Sequence, residues 1–91
     1  MSTIRIPPVL RDNVGGSRTV EVSGSTVAEA IEQLLARHPS LRDRITTDGK
    51  LSGFINVYVN ERDVRYRDGL DTPVGAGDTI ILLPAMAGGA G

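Results

Sequence analysis

TVAEAIEQLLARH, residues 26–38, is the stretch on which the fold of this chain turns. Val27, Ala30, Ile31, Leu34 and Leu35 recur at i, i+3, i+4, i+7 and i+8, while Glu29, Glu32, Gln33 and Arg37 fall on the opposite side, which predicts one amphipathic helix. Thr26 and Glu29 have the spacing of a capping box, in which two side chains satisfy free N–H groups of the first turn. Arg37 and His38 stand at the negative end of the helix dipole, and Pro39 stops the next turn. A helix with one apolar stripe needs a surface to bury it against, so the flanking segments must supply one.

Those segments read as strands. Thr3 to Leu10 alternates Ile4 and Ile6 with Thr3 and Arg5, and Pro7-Pro8 restricts its far end to an edge or a bend. Asp12 to Ser17, with Gly15-Gly16, reads as a turn, and Arg18 to Val22 alternates again to complete an opening hairpin. Beyond the helix, Leu41 to Ser52 suits a short helical turn and a loop. FINVYVN (54–60) places Ile55, Val57 and Val59 on one face and Asn56 and Tyr58 on the other, so one side of the sheet meets water. Glu61 to Tyr66 is expected to return as a short edge strand through Val64. Gly69 to Gly77 is a loop ending in a Gly77-Asp78 turn, and Thr79 to Leu83 is the last strand.

The order is ββαββ with a short extra strand, and a right-handed crossover through the helix sets the last strand beside the first and parallel to it. The fold class is α+β of the β-grasp, or ubiquitin-like, kind: a mixed sheet of four to five strands covered on one face by one main helix. The expected core is Ile4, Ile6, Val20, Val22, Val27, Ile31, Leu34, Ile55, Val57, Val59, Ile80 and Leu82.

At 91 residues the chain holds one small domain, and 40% hydrophobic with 23% charged residues is a globular composition. A net charge of -1 with interspersed signs creates no field to gather nucleic acid or anionic lipid, so neither partner is expected. The absence of cysteine excludes disulfides, thiolate metal sites and a catalytic thiol on this chain. MSTIRIPPVL is not a secretory leader and no segment approaches the ~20 apolar residues of a membrane span, so the expected location is cytoplasmic.

The chain ends in IILLPAMAGGAG (80–91). If Ile80 and Leu82 face the helix, Ile81 and Leu83 face outward, either as a partner-docking patch or as ordinary surface apolar groups. Residues 1–84 are expected to form the domain and 85–91 a flexible tail of Ala85, Met86, Ala87, Gly88, Gly89, Ala90 and Gly91. At ~3.3 Å per residue, Ala85 to Gly89 spans roughly 16 Å. Lacking Cβ atoms, a Gly-Gly pair can thread a channel too narrow for side chains.

GDTIILLPAMAGG (77–89) resembles the C-terminal signature of the MoaD/ThiS family of ubiquitin-like sulfur carriers, and RIPPVLRDNVGG and GFINVYVNERDVRYRDGL most resemble its CysO-type, cysteine-biosynthesis branch. The resemblance implies a co-substrate rather than an enzyme. Gly89 would carry the carboxylate that an E1-like adenylyl/sulfurtransferase activates with ATP and converts, with a sulfur donor, to a thiocarboxylate. Gly88 would be its required small neighbour, and the sulfur would pass to a biosynthetic enzyme. Leu83 and Pro84, with Ile81, would contact the activating enzyme, and no cofactor or metal is held by the carrier itself. Sulfur stored on a backbone terminus needs no cysteine. One departure is Ala90-Gly91, which implies cleavage between Gly89 and Ala90 by a JAMM-type metalloprotease. The same residues also suit the small subunit of molybdopterin synthase or a ubiquitin-like modifier joined to lysines.

The remaining polar residues take plainer readings. His38 is a helix-end residue, Glu61 and Asp63 belong to a solvated hairpin, and Gly15-Gly16 lacks the context of a phosphate loop. Arg62, Arg65 and Arg67 form either a partner-facing stripe or an exposed edge that discourages strand pairing.

Overall fold

The computed structural model describes residues 1–84, and the expected tail at 85–91 lies outside them. Helix α1 spans Val27–Arg37 and buries Val27, Ala30, Ile31, Leu34 and Leu35, the five residues of the apolar stripe. Its capping box forms with one displacement. Glu29 N–H donates to Thr26 Oγ1 at 3.2 Å, but the Glu29 carboxylate reaches past Thr26 and accepts from Ser25 N–H at 2.7 Å and Ser25 Oγ at 2.8 Å. Those two bonds hold the Glu29 carboxyl below the usual carboxylate range, with the Ser25 backbone N–H the larger cause.

The main sheet contains β1 (Ser2–Arg5), β2 (Thr19–Val22), β5 (Ile55–Val59), β6 (Arg62–Asp63) and β7 (Thr79–Pro84) in the order β2-β1-β7-β5-β6. β1 pairs antiparallel with β2 and parallel with β7, and β7 pairs antiparallel with β5. This is the expected mixed sheet with the last strand beside the first. Ile4, Ile80 and Val59 form one row of the buried face and Leu82 pairs with Val57 in the next, all under α1. Eleven of the twelve expected core residues are buried; Val20, on the edge strand β2, is only partly so.

Four segments depart from the sequence reading. The first strand stops at Arg5 rather than Leu10: the two prolines lack N–H groups for a ladder, and Pro8–Val14 coils into 3-10 turns that bury Leu10 and Val14. The turn expected from Asp12 is correspondingly shorter, with Gly15 taking φ 68° and ending the coil. Leu41 to Ser52 holds, besides the short helix α2 (Arg42–Ile45), a small hairpin of β3 (Thr46–Thr47) and β4 (Lys50–Leu51). The expected edge strand through Val64 is only two residues long. Val64 instead opens a 3-10 turn, Val64–Tyr66, and is buried at 5% exposure.

Asn60 and Glu61, which join β5 to β6, both have positive φ, 49° and 77°. A two-residue hairpin turn of this hand suits Asn-Gly, and a non-glycine residue there is strained by roughly 1–2 kcal/mol. Glu61→Gly is therefore expected to stabilise the domain by about 0.5–1 kcal/mol, after the extra chain entropy glycine adds to the unfolded state. Urea unfolding checks this, and a lowered midpoint contradicts it.

Candidate functional site

The site is built on β7, which lies between β1 and β5 and is the last described element. Its start is fixed by the Gly77-Asp78 turn. Gly77 takes φ 87°, open to glycine, and the Asp78 carboxylate accepts from Gly75 N–H at 2.9 Å and Asn60 Nδ2 at 2.8 Å. Asn60 Oδ1 in turn accepts from Thr79 N–H at 2.9 Å, and the Asp78 carbonyl accepts from Thr3 N–H at 3.0 Å. One aspartate thus ties the start of β7 to both neighbouring strands. The Asn60 amide, then the Gly75 N–H, hold its carboxyl below the usual carboxylate range. The Gly-Asp step is a register clamp.

From that clamp β7 alternates as expected. Ile80 and Leu82 are buried at 0% and 1%, Ile81 is half-buried, and Leu83 is 44% exposed. The outward side chains are therefore unequal. Ile81 pairs with Arg5 on one side and Tyr58 on the other, whereas Leu83 pairs only with Asn56, because β1 has already ended. Beside Leu83 the proline segment turns away and leaves a shallow concavity lined by Pro7, Pro8, Arg11, Ile81 and Leu83. Arg11 Nε donates to the Ile6 carbonyl at 3.1 Å, which holds the guanidinium at its rim. Pro84 pairs with Ile55 at the end of the sheet, so residue 85 continues from this margin. The structure brings Ile81, Leu83 and Pro84 together. Ala85, Met86, Ala87, Gly88, Gly89 and Ala90 lie outside the described residues.

Two further residues bear on this face and its edge. Phe54 is 60% exposed and immediately precedes Ile55, the partner of Pro84; it shares the phase of Asn56 and Tyr58 along β5. Asp63 is not a solvated hairpin residue, because it is only 8% exposed. Its carboxylate accepts from Arg65 N–H at 2.8 Å and from Arg65 Nη2 at 2.7 Å, with Nε also within 3.2 Å. The guanidinium contact first, and the backbone N–H second, hold the carboxyl below its usual range. A D-x-R spacing across a strand end was the available signal. His38 caps the helix C-terminus, where its N–H donates to the Leu34 carbonyl.

Among the described residues, no group of three or more His, Asp or Glu side chains could hold a metal, and no helix is long and apolar enough to cross a membrane. The arrangement presents an apolar strand end at the point where the small-residue segment begins.

Known proteins resemble this chain over most of its length. The ThiS family matches residues 4–89. The chain is 41% identical over 90 residues to the sulfur carrier protein CysO of Mycobacterium tuberculosis, covering 96% of this chain and 97% of the relative. It is 34% identical over 65 residues to small archaeal modifier protein 3 of Haloferax volcanii, covering 71% of each. A chain in the crystal structure of the Amycolatopsis orientalis BexX/CysO complex superposes with a TM-score of 0.86 at 44% identity, covering 94% of this chain and 97% of that one. The match over residues 4–89 and the near-full-length relatives show that this chain belongs to the ThiS family, with the ubiquitin-like β-grasp fold expected from its sequence.

Proposed function

We propose that this protein is a sulfur carrier whose Gly89 carboxylate is adenylated with ATP by an E1-like enzyme and then converted to a thiocarboxylate. The observation that carries this reading is the family match: it runs through β7 and ends at Gly89, and a relative matched over almost its whole length is named a sulfur carrier. The chemistry is consistent with the sequence. An acyl adenylate is an activated carboxyl that a sulfur donor attacks with loss of AMP, and the carrier contributes no catalytic group to that step. Its task is to bring the terminus to the enzyme and hold it there, which is positioning. Leu83, Pro84 and Ile81 supply the seat, and Ala85 to Gly88 span the distance to the reactive phosphate. The partner classes that follow are the activating enzyme, a sulfur-accepting biosynthetic enzyme and a peptidase acting after Gly89, and the location that follows is the cytoplasm, where the activating step has ATP.

Leu83→Glu tests the seat. A charge on an exposed strand position changes domain stability by no more than about 0.5 kcal/mol, but buried at an interface it is an unpaired charge. The expected result is an unchanged melting temperature with the KM for the carrier in the adenylation assay raised about 10-fold or more. Normal kinetics with this variant would remove β7 from the docking surface.

The similarity to small archaeal modifier protein 3 favours a second reading, in which Gly89 is joined to lysines of other proteins. The two are separated by mass analysis of protein from its host. A thiocarboxylate terminus supports the carrier, and isopeptide-linked adducts without it support the modifier.

A further inference from the structure

The open face of the sheet carries a charge pattern that the carrier reading leaves unused. Across the strands, Arg5 on β1 pairs with Ile81 on β7, Ile81 with Tyr58 on β5, and Tyr58 with Asp63 on β6. Arg5 alternates with buried Ile4 and Ile6, is exposed, and makes no ion pair among the described residues. At the other end, Asp63 is buried under the Arg65 guanidinium, whose side chain remains 67% exposed. Three inter-strand steps of about 4.8 Å separate the ends of the row, roughly 14 Å. Two cations therefore bracket an apolar centre of Ile81, Tyr58 and, one row on, Leu83. The other strand carboxylate on this face, Glu21 on the edge strand β2, pairs with Thr3, diagonal to Arg5, and makes no ion pair among the described residues.

The Arg65 fork differs from an ordinary surface arginine. Nε and Nη2 are spent on Asp63, which fixes the plane of the guanidinium, while Nη1 makes no hydrogen bond among the described residues. A cation already held in place loses little side-chain freedom when a second carboxylate arrives. We infer that Arg5 and the Arg65 fork are the charged rim of the docking face, reading two carboxylates that the activating enzyme presents on either side of its apolar seat. Asp63 is the positioning residue of that rim. This rests on the carrier reading and adds the chemistry of the partner's surface to it.

The experiment measures association of the full chain with the adenylating enzyme of its host at about 0.1 M and about 1 M salt, between which the screening length falls from ~10 to ~3 Å. Arg5→Glu with Arg65→Gln is expected to weaken binding about 10-fold or more at low salt, mostly through the association rate, with the gap closing at high salt. Lys50→Glu, on the small hairpin beside α1, makes the same charge change as Arg5→Glu alone and is expected to bind as the parent does, while Arg5→Glu alone weakens binding. Asp63→Asn keeps both cations but frees Arg65, and is expected to speed dissociation. Melting temperatures establish that each variant is folded, and Arg5→Glu alone, which leaves Asp63 paired, serves if the double variant is not. Parent-like binding by the arginine variants, or a loss that is the same at both salt concentrations, overturns the rim while adenylation of the parent chain proceeds. Failure of the parent chain itself to be adenylated overturns the carrier reading and the rim with it.

Discussion

Leu34→Ala is expected to lower the unfolding free energy by about 2–5 kcal/mol, the range for removing a buried aliphatic side chain from a packed core. Leu34 is 0% exposed, lies in α1 between Ile31 and Leu35, and belongs to the same buried cluster as Ile4, Ile80 and Val59. A domain of this size has roughly 5–14 kcal/mol in total, so about a seventh of its stability or more rests on one leucine. The melting temperature should fall by about 10–30 °C. In urea the midpoint should drop with the slope unchanged, because the surface exposed on unfolding is nearly the same. A loss below about 1 kcal/mol would mean that the stripe of α1 is not packed as described. The contrast with Leu83→Glu matters, since a leucine on each side of one sheet then separates folding from docking.

What the sequence made legible follows from how locally each feature is determined. The helix stripe and both helix ends are set by residues within about four positions of one another, and they fall where periodicity places them. The face assignments along β5 and β7 follow from the same two-residue alternation, and so does the outward position of Leu83. Features decided by tertiary contact were less legible. Val64 sits in an apparently exposed edge segment, and nothing within five residues announces that a 3-10 turn rotates it into the core. Asp63 is a local exception: its partner Arg65 is only two residues on, but their pairing requires the strand to end after two residues, which the expected longer strand hides. The alternation of Ile4 and Ile6 predicts a longer first strand than forms, because Pro7 and Pro8 lack the N–H donors to continue the ladder. For the site, the local motif located the clamp at Gly77-Asp78, but the remote partner Asn60 that completes it comes from the far end of β5. Half of the proposed cationic rim had a local signature, the alternating Arg62, Arg65 and Arg67 that offer a partner-facing stripe; Arg5, 60 residues away in sequence, joins Arg65 only through the strand order.

A chain ending at Gly89 is expected to gain a thiocarboxylate when incubated with ATP, the adenylating enzyme of its host and a sulfide source, and the 91-residue chain is not. In the 91-residue chain used for the comparison, the free carboxylate is that of Gly91, two residues beyond the second glycine. Seated through the same strand, that carboxylate is carried past the position of Gly89 by roughly 7 Å of extended chain. Under the proposed activation, Ala90 adds a Cβ where a channel threaded by Gly-Gly has no room for one, so looping out the extra residues also meets a steric cost. Misplacement of reacting groups by even ~1 Å can cost about 100-fold in rate, and the displacement here is several times that. The trimmed chain should therefore show, in intact mass, the exchange of one oxygen for sulfur under conditions that leave the full-length chain unmodified. Adding a zinc metalloprotease that cuts between Gly89 and Ala90 should restore the reaction to the full-length chain, and a chelator added before that protease should abolish the rescue. If the full-length chain acquires the same mass shift at a similar rate without trimming, Gly91 is the activated terminus and the two residues after Gly89 belong to the working tail.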